Sequence, residues 1–322
     1  MSRATTSSRR KQTTLAVLLV SIAAVLAGCG QDDNKHAEQK PALDPAFLVA
    51  QNDWRAQRRD DLLRPDGWTS LVGLHQIQLK AHYVGTGPGS GIRLAVGPDK
   101  LGMITDGVGH VRFTPEKGVP VTFNGEPLTK AIDLADDRQP TPGVIGFDEG
   151  KGLLSVIERG DRHYLRVKHA DAPSRLQFTG IGYWDADPSW QVQARYIPHP
   201  AGKTLPIMDI ISVVTPSPNP GAVEFERDGK TYRLEALGEP GGELFFVLAD
   251  RTSGHGSYPA GRFLDAPAPV DGKVTLDFNQ AYNPPCAFTP FATCPLPPPE
   301  NRLDLAITAG EKQYLPPKQK KS

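Results

Sequence analysis

The sequence has no surplus of charge: 36 Lys and Arg stand against 36 Asp and Glu. A balanced chain lacks the basic surface that nucleic acid or an acidic headgroup requires, so neither partner is implied. After the apolar run at 14–26 there is no second segment able to cross a bilayer. No Gly-x-Ser-x-Gly nucleophile elbow is present. The glycine-rich stretch from Tyr83 to Gly91 lacks the Gly-Lys-Ser/Thr ending of a phosphate loop, and no helix pattern follows it. The 8 histidines are scattered, with no pair at helical i,i+4 or strand i,i+2 spacing. No metal site and no cofactor are therefore expected. Cysteine is scarce, with 3 residues at Cys29, Cys286 and Cys294.

The first cysteine has a distinctive context. Arg3, Arg9, Arg10 and Lys11 precede an apolar run too short to span a bilayer well, and the run ends in Leu26-Ala27-Gly28-Cys29. That ending resembles the lipobox of bacterial lipoproteins. The resemblance implies a signal peptide at 1–28, cleavage before Cys29 and lipidation of its thiol, so the membrane is a partner through N-terminal lipid. Residue 31 is Gln rather than Asp. In a host with two membranes this favours the outer membrane, facing the periplasm. With Cys29 taken by lipid, Cys286 and Cys294 remain, eight apart in an oxidising compartment. A disulfide between them is the expectation, contributing about 2–3 kcal/mol on chain-entropy grounds. A reactive thiol or a metal-binding pair is the alternative. No Lys or His neighbours either cysteine in sequence to lower its pKa, and the spacing is wider than a zinc motif uses.

Glycine (32) and proline (31) are frequent enough to suit many turns between short strands. Residues 29–43 are polar without periodicity and read as a flexible tether. Asp44-Pro45 is an N-cap followed by proline at the first helical position, and Arg64-Pro65-Asp66-Gly67 stops the helix. Phe47 and Trp54 are the expected packing side. Strand patterns follow at 71–79, 92–96, 111–114, 119–123, 153–159 and 163–167, separated by pairs such as Asn124-Gly125. After a boundary near Ala172-Pro173 come 190–197, 207–214, 223–227, 231–236 and 244–248, with an Asp228-Gly229 hairpin turn. The expected architecture is mainly β: two consecutive antiparallel sandwich or barrel-like domains, 44–172 and 173–314, with one N-terminal helix. A basic tail occupies 315–322.

The densest cluster of special residues lies at 274–309. Pro284, Pro285, Pro290, Pro295, Pro297, Pro298 and Pro299 forbid a helix there and stiffen the loop. Stiff loops hold polar groups in place at low entropic cost, which suits a site. The candidate pocket residues are Arg262, Asp277, Asn279, Asn283 and Glu300. The structural alternative is that Asp277 accepts loop amides and Glu300 pairs with Arg262 or Arg302. Tyr258, Trp184, Tyr282, Phe288 and Phe291 either line a groove for a small-molecule or glycan ligand or fill the core under the proline-rich loop. Ser253 and Ser257 flanking His255, or paired carboxylates from among Asp277, Glu300 and Asp250, are the material for an envelope hydrolase acting on a small ester or glycan.

Two family resemblances run through these residues. Val84-Gly85, Ile92-Arg93-Leu94 and Val121-Thr122-Phe123-Asn124-Gly125 resemble a degenerate forkhead-associated sandwich over 70–170. Thr86 stands where that family's phosphothreonine pocket needs arginine, and Thr105 and His110 are too far apart for its Ser-x-x-His turn. The resemblance thus implies the fold without phosphopeptide binding. Asp277-Phe278-Asn279, Ala281-Tyr282-Asn283-Pro284-Pro285-Cys286, Cys294-Pro295-Leu296-Pro297-Pro298 and Glu300-Asn301-Arg302-Leu303 resemble the bacterial domain-of-unknown-function family 1684. So do Ala309-Gly310-Glu311-Lys312, Gly261-Arg262-Phe263 and the early Trp68, Leu71, Gly73 and Leu74. This resemblance implies a secreted or cell-envelope β protein and no established reaction. A lipid-anchored binding or structural module is the leading expectation, with the hydrolase second.

Overall fold

The computed structural model describes residues 43–107 and 110–316. The lipobox with Cys29 and nearly all of the tether lie outside the described residues. Helix α1 spans Pro45–Leu63, and the Asp44 carboxylate accepts from the Ala46 amide at 3.0 Å, as a capping residue should. Its buried face differs from the apolar one expected. Gln51 and Leu62 are the buried residues, and Phe47, Trp54, Arg55 and Arg58 are half-buried. A weakly apolar helix is held here by hydrogen bonds and ring contacts to other parts of the chain.

The first strands are β1 (Leu71–Gln76), β2 (Ala81–Gly85), β3 (Ile92–Arg93), β4 (Gly102–Gly107), β5 (His110–Pro115) and β6 (Thr122–Phe123). They are followed by β7 (Glu126–Pro127), β8 (Ile132–Leu134), β9 (Val144–Phe147), β10 (Gly152–Arg159) and β11 (Arg162–His169). One sheet runs β1-β11-β10-β9-β6-β7 and the other β3-β2-β4-β5-β8. Period-two alternation sets their inner faces. In the β10–β11 hairpin Leu154 lies opposite Val167 and Val156 opposite Leu165, and all four are buried. With Val84, Ile104, Phe113 and Phe147 they make one core between the sheets.

After the single turn α2 (Pro173–Leu176) come β12 (Gln191–Pro198), β13 (Thr204–Met208), β14 (Val214–Pro218), β15 (Gly221–Arg227), β16 (Lys230–Ala236), β17 (Leu244–Leu248), β18 (Arg262–Ala266) and β19 (Lys273–Asp277). The order β16-β15-β12-β19 forms a sheet, with β13-β14 and β17-β18 as two-stranded ribbons. Asp228 (φ 52) and Gly229 (φ 71) make the β15–β16 turn left-handed at both central residues, as the Asp-Gly pair requires. The run 207–214 is not one strand. Asp209 Oδ1 accepts from the amides of Ile211 at 3.0 Å and Val213 at 2.9 Å, which folds the apolar run into the β13–β14 turn. A local carboxylate–amide turn here overrides hydrophobic continuity.

The molecule is mainly β, with several antiparallel sheets and one N-terminal helix; its sheets stay open, with no closed barrel. Each sheet draws its strands from one side of residue 172, yet from Asp44 on the chain is one compact unit. Leu71 packs with Leu205, Ile207 and Phe263, and Leu62 packs with Phe288 and Tyr314. The N-terminal helix and first strand are therefore built into the core of the C-terminal half.

Candidate functional site

The expected site residues are drawn into the protein rather than into one open pocket. Arg262, at the start of β18, is buried, with its guanidinium 2.7 Å from the equally buried Asp250 carboxylate. The same guanidinium donates to the carbonyls of Ala309 and of Ile307, the latter at 2.9 Å. Asp250 also accepts from the Thr252 amide at 2.6 Å. One arginine thereby ties the 250–252 turn to the returning segment at 307–311. Removing one member of such a buried pair strands the other charge in a medium that solvates it poorly, whereas replacing both is far milder.

The asparagines do similar work. Asn279 is fully buried; its Oδ1 accepts from Asp187 N at 2.9 Å and its Nδ2 donates to Asp187 O at 2.9 Å. Asn301 Oδ1 accepts from Glu235 N at 2.7 Å, and its Nδ2 donates to Glu235 O and Val247 O at 2.9 and 3.0 Å. Asn283 donates its amide to Glu311 Oε2 at 2.7 Å and its Nδ2 to Lys312 O at 2.8 Å. Asp277 accepts from the Asn279 amide at 3.0 Å and from Gln51 Nε2 at 2.7 Å. Glu300 stands exposed on a separate turn and does not join them. It does not pair with Arg262, whose carboxylate partner is Asp250. Two aromatics, Phe288 and Tyr282, belong to core clusters, and Tyr258 donates to Cys286 O at 3.1 Å.

Helix α1 closes over this region through polar residues whose role the sequence did not reveal. Arg58 bonds the fully buried Glu311 at 2.9 Å and Asn283 O at 2.9 Å, and its guanidinium lies 4.6 Å from the Tyr282 ring. Arg55 sits 4.5 Å from the Tyr183 ring and donates to Trp184 O at 3.2 Å. Burial pushes the Glu311 carboxyl above its ordinary range, against the opposing pull of Arg58 and the Asn283 amide.

The expected hydrolase residues do not assemble. Ser257 is fully buried and accepts from Thr252 Oγ1 at 2.8 Å and Trp184 Nε1 at 3.4 Å. His255 is exposed, its ring facing Ser253 O at 3.2 Å. Cys286 and Cys294 are free thiols in this structure, and the expected disulfide is not formed in it. The Cys286 amide lies 3.1 Å from Cys294 Sγ. A hydrogen bond with Cys294 holds the Cys286 thiol below its ordinary range against the cost of burial, and the same bond together with burial pushes the Cys294 thiol up.

A different place combines concavity with buried polar groups. The turns at 198–204, 218–220 and 238–241 enclose a cavity of about 460 Å³. Pro198, Pro200, Pro218, Pro220 and Pro240 stiffen its rim, and Tyr196 forms an aromatic wall with its hydroxyl tied to Pro220 O at 2.8 Å. His199 and Asn219 line its polar corner, and Glu235 backs them. His199 Nε2 lies 2.7 Å from Glu235 Oε2, and Asn219 Nδ2 donates to Ala236 O at 2.7 Å and to Glu235 Oε2 at 3.2 Å. Asn219 is buried, and its Oδ1 has no hydrogen-bond partner among the described residues. Burial would raise the Glu235 carboxyl, but bonds from His199, Arg233 and Asn219 outweigh it and hold the group below its ordinary range. The result is an ionised acid fixing one face of an imidazole beside an aromatic wall. Asn219-Pro220 beside His199-Pro200 was the available sequence signal, but the cross-strand Glu235 was not legible. A wider groove of about 1200 Å³ lies among 97–98, 115–122, 125–129 and 146–150. It is lined largely by glycine, proline and loop backbone.

The geometry of the 250–311 clamp makes a direct prediction. Arg262→Met should destabilise the protein by about 3–5 kcal/mol in urea unfolding, and Asp250→Asn combined with it should cost much less than the two single losses added. Additive losses would show that the pair is not the unit described.

Comparison with known proteins places the C-terminal half. A 69-residue stretch is 39% identical to a lipid-A-disaccharide synthase of Pseudomonas putida (strain W619), covering 21% of this chain and 18% of that protein. The solution structure of an uncharacterized protein from locus rrnAC0354 of Haloarcula marismortui is 32% identical over 43% of this chain and 78% of that one, with a TM-score of 0.36. The N-terminal forkhead-associated domain of EssC, a component of the bacterial type VII secretion apparatus, is 17% identical. It covers 30% of this chain and 46% of that one, at a TM-score of 0.24. Residues 176–312 match the family model described as protein of unknown function DUF1684.

Proposed function

We propose that this protein is a lipid-anchored module of the cell envelope that binds a small glycan-type ligand in the His199–Asn219 cavity without transforming it. The observation that carries the binding role is the polar corner itself. Asn219 and His199 line a cavity with a proline-stiffened rim, Glu235 holds the imidazole, and the buried Asn219 carboxamide oxygen lacks a partner among the described residues. A cavity of about 460 Å³ is of ligand size. The Tyr196 wall offers an apolar face to sugar C–H groups, and His199 and Lys203 offer polar contacts at the edge. Anchoring rests on Leu26-Ala27-Gly28-Cys29, and the tether from Cys29 to Leu43 gives the folded body reach from the bilayer. In an oxidising envelope the adjacent thiols of Cys286 and Cys294 close into a disulfide, stapling the proline-rich loop.

Three measurements check these statements. In titration calorimetry with soluble cell-wall and lipopolysaccharide oligosaccharides, one class should bind. His199→Ala should weaken that binding about tenfold or more, the equivalent of roughly 1.4 kcal/mol. Unchanged affinity in the variant places the ligand elsewhere. Mass analysis of protein extracted from membranes should find Cys29 acylated at the mature N-terminus, and an unmodified Cys29 there refutes the anchor. Thiol labelling of envelope-purified, unreduced and unfolded protein should find neither Cys286 nor Cys294 reactive, and two labelled thiols refute the staple.

A further inference from the structure

Away from the cavity, the N-terminal half gathers a histidine and several carboxylates at one end of its two sheets. Glu158 and His163 lie directly opposite each other across the β10–β11 hairpin, so their side chains share a face. Asp136, in the loop after β8, joins them. One ligand atom from each of Asp136, Glu158 and His163 lies within 4.8 Å of the others. Asp106, at the end of β4 in the other sheet, grips the same imidazole, with His163 Nδ1 at 3.1 and 3.3 Å from its two oxygens. A carboxylate on Nδ1 fixes the ring and leaves the Nε2 lone pair to a ligand-accepting centre, the arrangement that supports metal-bound histidines. Charge points the same way. Arg159 neutralises Asp137 at 2.8 Å and Arg138 meets Glu158 at 3.1 Å, while Asp136 has no Lys or Arg side chain at ion-pair distance among the described residues.

We propose that Asp136, Glu158 and His163 form a binding site for a divalent first-row transition cation, with Asp106 as the positioning residue for His163. One imidazole and two carboxylates are an N/O donor set that suits zinc in four-coordination, with water completing it. Arg138 is half-exposed and vacates Glu158 by turning into solvent when the ion enters. Only one donor is a histidine, and Asp136 comes from a different loop than the β10–β11 hairpin that carries Glu158 and His163, which is why no histidine spacing announced them. Glu158, His163 and Asp106 are each about a quarter exposed or less, so the ion has access from solvent while most of its shell is protein.

The probe is Co²⁺, a spectroscopic substitute for zinc. It is titrated into the full-length soluble chain carrying Cys29→Ser, Cys286→Ser and Cys294→Ser, so that no thiolate contributes. The expected result is saturable binding of one equivalent, with visible absorption in the d–d region and displacement by Zn²⁺. His163→Ala and, separately, Asp136→Asn should abolish the spectrum. Circular dichroism and the metal-free melting temperature report whether each variant is folded, and Asp136, on a loop, keeps the test open should the His163 variant fail to fold. Asp106→Asn should lower affinity about 10–100-fold, with the metal-free melting temperature unchanged. Absence of saturable binding in the parent chain overturns the proposal, as does full retention of the spectrum in both His163→Ala and Asp136→Asn.

Discussion

The C-terminal half depends on one buried ion pair. Arg262 and Asp250 are both shielded from solvent, and the guanidinium also donates to backbone carbonyls of the 307–311 segment. A buried charge is tolerable only when paired and hydrogen-bonded, so the pair fixes where 250–252 and 307–311 lie relative to β18. The rest follows from that placement. Glu311 can reach the Asn283 amide because its segment is held there, and Arg58 can reach Glu311 from α1. A helix from the beginning of the chain is thus secured by a carboxylate near its end. The contact spans the sequence and makes one cooperative body of two sheet systems.

This arrangement separates stiffness from recognition. The residues with the most polar character in the chain, at 250–311, spend it on one another and on backbone groups. A binding site has to keep some polar capacity in reserve; among the described residues, buried polar atoms without a partner remain at Asn219, which lines the proposed cavity, and also at Arg262 and Asn283 within the clamp. His199 and Glu235 stay in fixed orientation because they belong to or border regular strands, while the prolines around them limit loop motion. The proline-rich segment at 284–299 supplies rigidity beside the site rather than the site itself.

Much of the fold was legible in the sequence. Asp44-Pro45 announced α1, the Asp228-Gly229 pair announced the β15–β16 hairpin, and alternation announced β10, β11, β15 and β16. Each is a local signal acting over a few residues. Strands β2, β4 and β9 were not legible, because glycine and polar residues interrupt their alternation and neighbouring strands decide their pairing. The turn at Asp209 was hidden inside an apolar run. The clamp was legible as a cluster of unusual residues but not as a clamp: nothing local shows that Arg262 meets Asp250 rather than Glu300. Arg55 and Arg58 read as a solvated helix face because their partners lie more than a hundred residues away. The His199–Glu235 pair escaped notice for the same reason, since a cross-strand contact has no fixed sequence spacing.

The central claim is that 250–311 is a structural clamp integral to the folded body, and not a lid over a concealed site. Native-state hydrogen exchange, measured residue by residue against denaturant, separates the two directly. The amides of Asn283 and Glu311, which bond Glu311 Oε2 and Ala281 O, should exchange only through global unfolding, with the free energy of the whole protein. Exchange of these amides through a smaller, sub-global opening, while the β15–β16 amides stay protected, would contradict the account and make the segment a lid.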